Sequence, residues 1–524
     1  MAQPRLTAFS KLLLTIFIVA AIFFGGQYVM NNTEIGKNIR NQAKNKVNTD
    51  QTNPNRPKNN HANSDDVVKI GVVTWGGYAG GQYFNNGFEA SKDSRFYKDY
   101  GLLVEFKILD DFVPSRAAWK NDDVNLLWCT VDALPTEMGD LKDYDPVIVF
   151  QADWSRGGDA IVARRGINRV SDLKGKRIAV AEMTPSHSFL LWLLQAGGLS
   201  QSDVEIIPQA SAMDAASVFK SNQVDAAVVW SPDDEACVKA VPGARILEST
   251  RSASNIIADA FIAKRSWVNS HQTELANLYE GWMIGAGEIN TNPQAKEKAA
   301  RILKDNFTGY TLDMTRQAIN NVRLTNHGDN LNFFGLNPNY KGVTGENLYR
   351  NMTNTYTKLG FVEGRIPAWR QIAYPRIIQN AHLSGKAQEA EGAKDFTQVT
   401  EHEGKKKEAI ATKRVSIAFR TGEYQLDDNA KYIIDKEFVD IAKAFSNARI
   451  RIEGNTDNTG SRATNMALSK KRAQAVADYL ATAHNMPRNR FIVIGNGPDK
   501  PVASNDTSSG RAKNRRTDFE LVRD

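Results

Sequence analysis

Cysteine is almost absent from this chain of 524 residues, which contains only Cys129 and Cys237. They lie far apart and lack the C-x-x-C spacing of a zinc or redox site, so no disulfide framework exists and a single bridge between them is left open. Seven histidines are scattered without an H-x-x-x-H pair, and neither a bound metal nor a cofactor is expected. There is no G-x-S-x-G elbow, so a nucleophilic hydrolase has no motif to rest on and binding rather than turnover is expected. Charge of one sign is scarce too. The 66 Lys and Arg exceed the 59 Asp and Glu by a formal +7, a mild excess at this length that does not call for nucleic acid.

What is present is ordinary globular composition, 41% hydrophobic and 24% charged, in a chain too long for one core. One apolar run stands out. Leu12 to Met30, LLLTIFIVAAIFFGGQYVM, carries no ionisable side chain and approaches the roughly 20 residues a helix needs to cross a bilayer. Arg5 and Lys11 precede it, as in a signal peptide, but neither an A-x-A site nor a lipobox cysteine follows. An uncleaved transmembrane anchor at 12–30 behind a cytoplasmic N-terminus at 1–11 is therefore expected. Its orientation stays open, since Lys37, Arg40, Lys44 and Lys46 follow it. Residues 31–66, rich in Asn, Lys and Pro, offer little to bury and read as a flexible linker with a reach on the order of 30 Å. A charged linker is expected over 386–412, where no consistent apolar stripe appears.

From Val67, short apolar runs alternate with amphipathic stretches, the pattern of βα units around a parallel-rich sheet. VVKIGVVTW, LLVEFKIL, VNLLWCTVDALP, PVIVFQADW, DAIVARR, RIAVAE and DAAVVWSP read as strands. DLKGKRIAV at 172–180, a helix ending in GGL, and NQVDAAVVWSPDDEA at 222–236 together resemble the two-lobed periplasmic solute-binding proteins of nitrate, sulfonate and taurine ABC importers. The resemblance covers 67–385. It implies two crossings between lobes, near 152–159 and 249–259, and a ligand seat where strand ends from both lobes meet.

The residues at those ends are Trp75, Tyr78, Asp132, Thr184, Ser186, His187, Trp230 and Asp233. Trp75 and Trp230 equally suit core aromatics. Thr184 or Ser186 suits a helix cap beside Pro185 or the seat of an anion. His187 reads as a polar wall, and Asp132 and Asp233 either hold a ligand amine or cap the next helix. Such a set accepts a small oxyanion, such as phosphate or a sulfonate, or a planar heterocycle stacked on tryptophan. A related fold includes a thiamin-pyrimidine synthase family, but its cysteine-rich motif is missing here.

The C-terminal segment, 413–524, changes texture again. Val415, Ile417 and Phe419 alternate as in a half-buried strand, and Ile433, Ile434, Phe438, Ile441 and Phe445 line a helix. RIRIEG, a long helix with Ala473, Val476, Ala477 and Leu480 on one face, FIVIGNG and TDFELV follow, giving the order βαβαββ. GNTDNTGS at 454–461, N-x-x-LS-x-x-RA at 465–473 and GRAKNRRTDFEL at 510–521 resemble the OmpA-like peptidoglycan-binding family. That resemblance implies that Asp457 and Arg472 hold the two ends of a diaminopimelate side chain, with Asn465, Asn514 and Arg515 completing the pocket. Taken singly, Asp457 equally suits a turn and Arg472 a solvated helix face. One departure is Asn455, where the family often has histidine.

The expected fold class is thus α/β, a two-lobed periplasmic-binding-protein domain plus a βαβαββ OmpA-like α+β domain, preceded by one transmembrane helix. The wall-binding resemblance orients the anchor, implying a single pass through the bacterial inner membrane with the bulk of the chain in the periplasm. Expected partners are peptidoglycan, a small-molecule ligand, the inner membrane, and a permease or other envelope protein. Proton-driven stators of the MotB family also join a membrane helix to an OmpA-like domain, but their helix carries an acidic residue that this span lacks. The alternative reading is a structural or stator-like envelope protein whose central domain is an interaction module.

Overall fold

The computed structural model describes residues 66–417, Phe419 and 422–524. The expected anchor at 12–30 and its linker over 31–65 lie outside the described residues. Among those described, no helix is long and apolar enough to cross a membrane.

The first sheet forms where the apolar runs are longest. β1 (Val67–Val72) pairs in parallel with β2 (Leu103–Ile108) on one side and β3 (Leu126–Thr130) on the other. β10 (Ala258–Lys264) runs antiparallel between β3 and β4 (Pro146–Ser155), and the short β11 (Val322–Leu324) closes the edge. β3 and β4 are buried at every position, which is why their sequences run apolar without alternating. The helix Gln272–Thr291 contributes Trp282, whose ring meets Phe150 and Phe261 at 5.2 and 5.0 Å.

The second lobe holds β5 (Asp159–Ala163), β6 (Arg177–Ala181), β7 (Glu205–Gln209), β8 (Ala226–Trp230) and β9 (Arg245–Ser249), in the order β7-β6-β8-β5-β9. The chain passes between lobes twice, after β4 and after β9. Thr250 ties the crossings together: its Oγ1 accepts from the Gly157 amide at 2.8 Å and lies 2.8 Å from Ser155 Oγ. Cys129 and Cys237 are buried and free, so the bridge left open by the sequence is not formed.

The third sheet has the order β12-β15-β13-β14, from β12 (Ala409–Val415), β13 (Arg449–Asn455), β14 (Phe491–Gly497) and β15 (Thr517–Val522). The helix Arg462–Ala483 buries Ala473, Val476 and Leu480 against it. A short helix, Ser508–Asn514, intervenes between the last two strands, an addition to the expected βαβαββ order. β12 begins inside the stretch read as a charged linker. The rest of that stretch is pinned by isolated residues rather than by a periodic face: Gln388 donates to the Met283 carbonyl at 2.9 Å, and Gly404 packs on Ile492.

This third sheet domain rests on the second crossing between the lobes. The Asn255 amide donates to the Ala444 carbonyl at 2.9 Å, Ser254 Oγ lies 2.8 Å from Ser446 Oγ, and the Asn447 amide donates to Ser254 Oγ at 3.2 Å. It also touches both lobes. Asn351 of the first donates to Asp440 at 3.1 Å, and the Leu247 carbonyl of the second accepts from Arg523.

Candidate functional site

Two sites bring chemistry-bearing side chains together. The first is a pocket of about 290 Å³ at the carboxyl end of β13, lined by Phe419, Gly454, Asn455, Arg472, Arg515 and Thr517, among others. Gly454 makes it possible. A Cβ there would stand 2.2 Å from the Ser469 carbonyl oxygen, so only glycine lets the strand end touch the helix backbone and brings Arg472, one turn on, over the strand end. The Arg472 guanidinium lies 4.7 Å from the Phe419 ring, and its Nε donates to the Glu423 carbonyl at 3.0 Å. Burial, with Arg515 beside it, pulls its pKa down while Asp457 opposes that shift.

Asp457 accepts from the Thr459 amide at 2.9 Å and from Arg515 Nη1 at 2.6 Å. Burial pushes its carboxyl up, but the amide and the guanidinium outweigh burial and hold it below the usual carboxylate range. It is therefore ionised at neutral pH. Each oxygen keeps a lone-pair site beyond the bond it already accepts, so a ligand ammonium can still be received. Arg472, Arg515 and Arg516 line this pocket, and Asp457, bonded to Arg515, supplies a carboxylate beside it, a set that suits a zwitterion.

The second site lies between the lobes. Trp75, Trp128, Trp230, Thr130, Asp159 and Asp259 contribute to the lining of a cavity of about 30 Å³. That is room for little more than a water or two, against the roughly 300–1,000 Å³ of a ligand site. Trp75 closes it: its ring reaches across to the crossing, where a Cβ on Gly158 would sit 2.0 Å from Trp75 Cη2. Its Nε1 donates to Asp153 at 3.1 Å, and Tyr78 donates to Asp259 at 2.6 Å.

Asp153 and Asp259 stand opposite each other on β4 and β10, and Asp159 stands opposite Trp230 on β5 and β8. With Asp132 they make four buried carboxyl groups. Burial pushes Asp132 and Asp159 up to about 7 and Asp259 up to about 8, and like-charged neighbours add to each. Burial and then Asp259 push Asp153 well up in the same way. Asp153 Oδ1 and Ser186 Oγ are buried and meet no hydrogen-bond partner.

Residues 418–515 match the OmpA family, and residues 90–296 match the family described as NMT1/THI5 like. The chain carries both domains. Within the OmpA-family domain, 90 residues are 46% identical to the peptidoglycan-binding protein ArfA of Mycobacterium tuberculosis, covering 17% of this chain and 27% of that protein. Outer membrane porin F of Pseudomonas aeruginosa is 33% identical over 108 residues, 21% of this chain and 31% of the porin. The chain thus spans about a third or less of these relatives' own length. Among solved structures, the periplasmic aliphatic sulphonate binding protein SsuA from Escherichia coli aligns with a TM-score of 0.47 at 16% identity, over 60% of this chain and 100% of that one.

In the OmpA-family domain, Arg472 and Arg515 line one pocket and Asp457 is bonded to Arg515, while the two asparagines bond to loops. Asn465 donates to the Thr459 carbonyl at 2.9 Å and so fixes the loop that carries Asp457. Asn514 spends both ends of its amide on 502–505, accepting from the Val502 and Ala503 amides at 2.8 and 3.0 Å and donating to the Ala503 carbonyl and Asn505 at 2.8 Å. Neither lines the pocket. Asn455, in the family's histidine position, lines the pocket and donates to Asp518 at 3.1 Å.

In the NMT1/THI5-like domain, Trp75 and Trp230 line the cleft, with Tyr78 and Asp132 buried beside it. Three expected residues turn elsewhere. Thr184 Oγ1 donates to the Ala181 carbonyl at 2.7 Å and makes no cap bond. His187 is a brace rather than a wall. Its Nδ1 accepts from the Met183 amide at 3.2 Å, which leaves Nε2 to donate to Gln201 at 2.8 Å. Asp233 pairs with Lys220 at 3.5 Å, away from the cavity. Four cleft residues were missed, namely Trp128, Asp153, Asp159 and Asp259. The available signal was an aspartate interrupting an otherwise apolar strand in QADW, GGDA and IADAF, because such a residue is rarely buried without a purpose. None of the residues lining this cavity is a cation that would pair with the expected phosphate or sulfonate.

Proposed function

We propose that this chain is a solute-binding protein of the bacterial envelope, anchored in the inner membrane by the apolar run at 12–30. Its bulk lies in the periplasm and its OmpA-family domain holds peptidoglycan without a covalent bond. One observation carries the wall half. Arg472 and Arg515 line a pocket, with Asp457 bonded to Arg515 beside it, and these charges complement the carboxylate and ammonium of a diaminopimelate side chain. The relative named for peptidoglycan binding supports the same reading. The NMT1/THI5-like domain supports capture of a small ligand between two lobes, for delivery to a permease or another envelope protein. Tethering at two points keeps such a receptor close to one envelope site.

Pull-down on diaminopimelate-type peptidoglycan tests the wall half. A charged hydrogen bond contributes about 1.5–3 kcal/mol, so Asp457→Ala and Arg472→Ala should each weaken retention by about 10-fold or more. Retention equal to the parent chain contradicts the assignment. Cell fractionation tests the anchor: the full chain should sediment with inner membranes, and release into the soluble periplasmic fraction contradicts it.

The small closed cavity favours a second reading, in which the two-lobed domain is an interaction module. Native mass spectrometry of the full chain purified from cells separates the two. A bound small molecule supports the receptor, and its repeated absence supports the module.

A further inference from the structure

We infer that the cleft between the lobes of the NMT1/THI5-like domain selects a protonated amine, an organic cation carrying at least one ammonium group, and rejects anions. This rests on the solute-binding reading and names the ligand class of that same cleft. The argument begins with what faces the cavity. Trp75, Trp128 and Trp230 present aromatic surface from both lobes, and Asp159 and Asp259 present carboxyl groups, one from each lobe. Indole faces attract cations through the ring quadrupole, most strongly where water is excluded. Asp153 and Asp132 stand behind them, coupled by charge to Asp259 and Asp159. The cavity lining holds no lysine, arginine or histidine.

An anion entering this space would find no cation and two acids, with two more behind them. An ammonium group would find the reverse: carboxylate acceptors for each of its N–H donors and aromatic walls for its remaining surface. Asp153 Oδ1 is fully buried, has no donor, and shares the strand pairing with Asp259. Burial and this opposition make the pair hold its protons, and a bound cation would let both carboxyls ionise. Asp159 lies at the start of β5 and Asp259 near the start of β10, so one ammonium between them would draw the two lobes together.

The test is isothermal titration calorimetry of the full chain at pH 8 in sodium-based buffer. The cationic probes are methylammonium, 1,4-diaminobutane and tetramethylammonium, and the anionic probes are sodium phosphate and sodium ethanesulfonate. At least one cation should bind saturably, and Asp259→Asn and Asp153→Asn should each weaken it at least 10-fold while keeping the parent circular dichroism spectrum. Binding of a cation that both variants leave unchanged overturns the site. Binding of an anion alone, lost in Trp230→Ala, overturns the ligand class but leaves the solute-binding reading standing. Silence with every probe overturns the amine inference. If native mass spectrometry of the full chain also finds no bound molecule, the solute-binding reading fails with it.

Discussion

Replacing Asp132 by asparagine should stabilise the two-lobed domain above neutral pH and leave it nearly unchanged in acid. The carboxyl is buried and accepts from the Ala258 amide at 3.3 Å, a bond that an asparagine oxygen can keep. Burial raises its pKa from 3.8 to about 7. A raised carboxyl means that the folded state holds a proton the unfolded state has lost, so stability falls as pH rises from about 4 to about 7. The shift is about three units at about 1.4 kcal/mol each, an upper bound of about 4 kcal/mol, and relaxation around the charge brings the expected effect to about 2–4 kcal/mol. All nine tryptophans lie between residues 75 and 369, so their fluorescence during urea unfolding reports this domain and not the OmpA-family domain. Asp132→Asn should resist urea better than the parent chain at pH 8 and match it to within about 1 kcal/mol at pH 4.5. An equal difference at both pH values, or a loss of stability at pH 8, would refute the claim that a buried charge is the cause.

Gly158→Ala should destabilise the same domain by about 1–3 kcal/mol, read from the same urea midpoint, because the added Cβ would stand 2.0 Å from Trp75. Ser446→Trp should separate the OmpA-family domain from the second lobe crossing, since Ser446 lies between Ser254 and Asn255 at 2.8 and 2.6 Å. Small-angle scattering should then show a larger radius of gyration than for the parent chain. Arg515→Ala should let the Asp457 carboxyl rise toward the ordinary range, so wall retention should weaken more at pH 4.5 than at pH 7.

Much of the fold was legible because burial leaves a direct trace in residue order. β3 and β8 are apolar at nearly every position, and β1 and β4 are apolar at most of theirs, so each appears as an apolar run. β7 has no fully buried residue and β11 is three residues long, so neither leaves such a trace. The helix expected to carry Ile433 through Phe445 is interrupted by a wider turn at Asp435–Val439, which apolar spacing does not reveal. At the wall pocket, the motifs pointed to Arg472 and Arg515, which line it, and to Asp457, which is bonded to Arg515. They did not show that Asn465 and Asn514 point into loops, because an amide that pins a loop and one that meets a ligand occupy the same motif position. The cleft was harder still. Its acids come from the ends of β4 and β5, which follow each other in the chain but lie in different sheets, and from β10, which is far from both in sequence and joins them only through the fold.

The most direct test of the central claim is co-sedimentation of the full chain with purified sacculi whose peptide stems carry either diaminopimelate or lysine. Diaminopimelate adds a carboxylate beside the stem ammonium, and that carboxylate is what Arg472 and Arg515 are placed to receive. The account predicts retention by diaminopimelate-type sacculi, release by free diaminopimelic acid, and little retention by the lysine type. Equal retention by both, unaffected by free diaminopimelic acid, would contradict it.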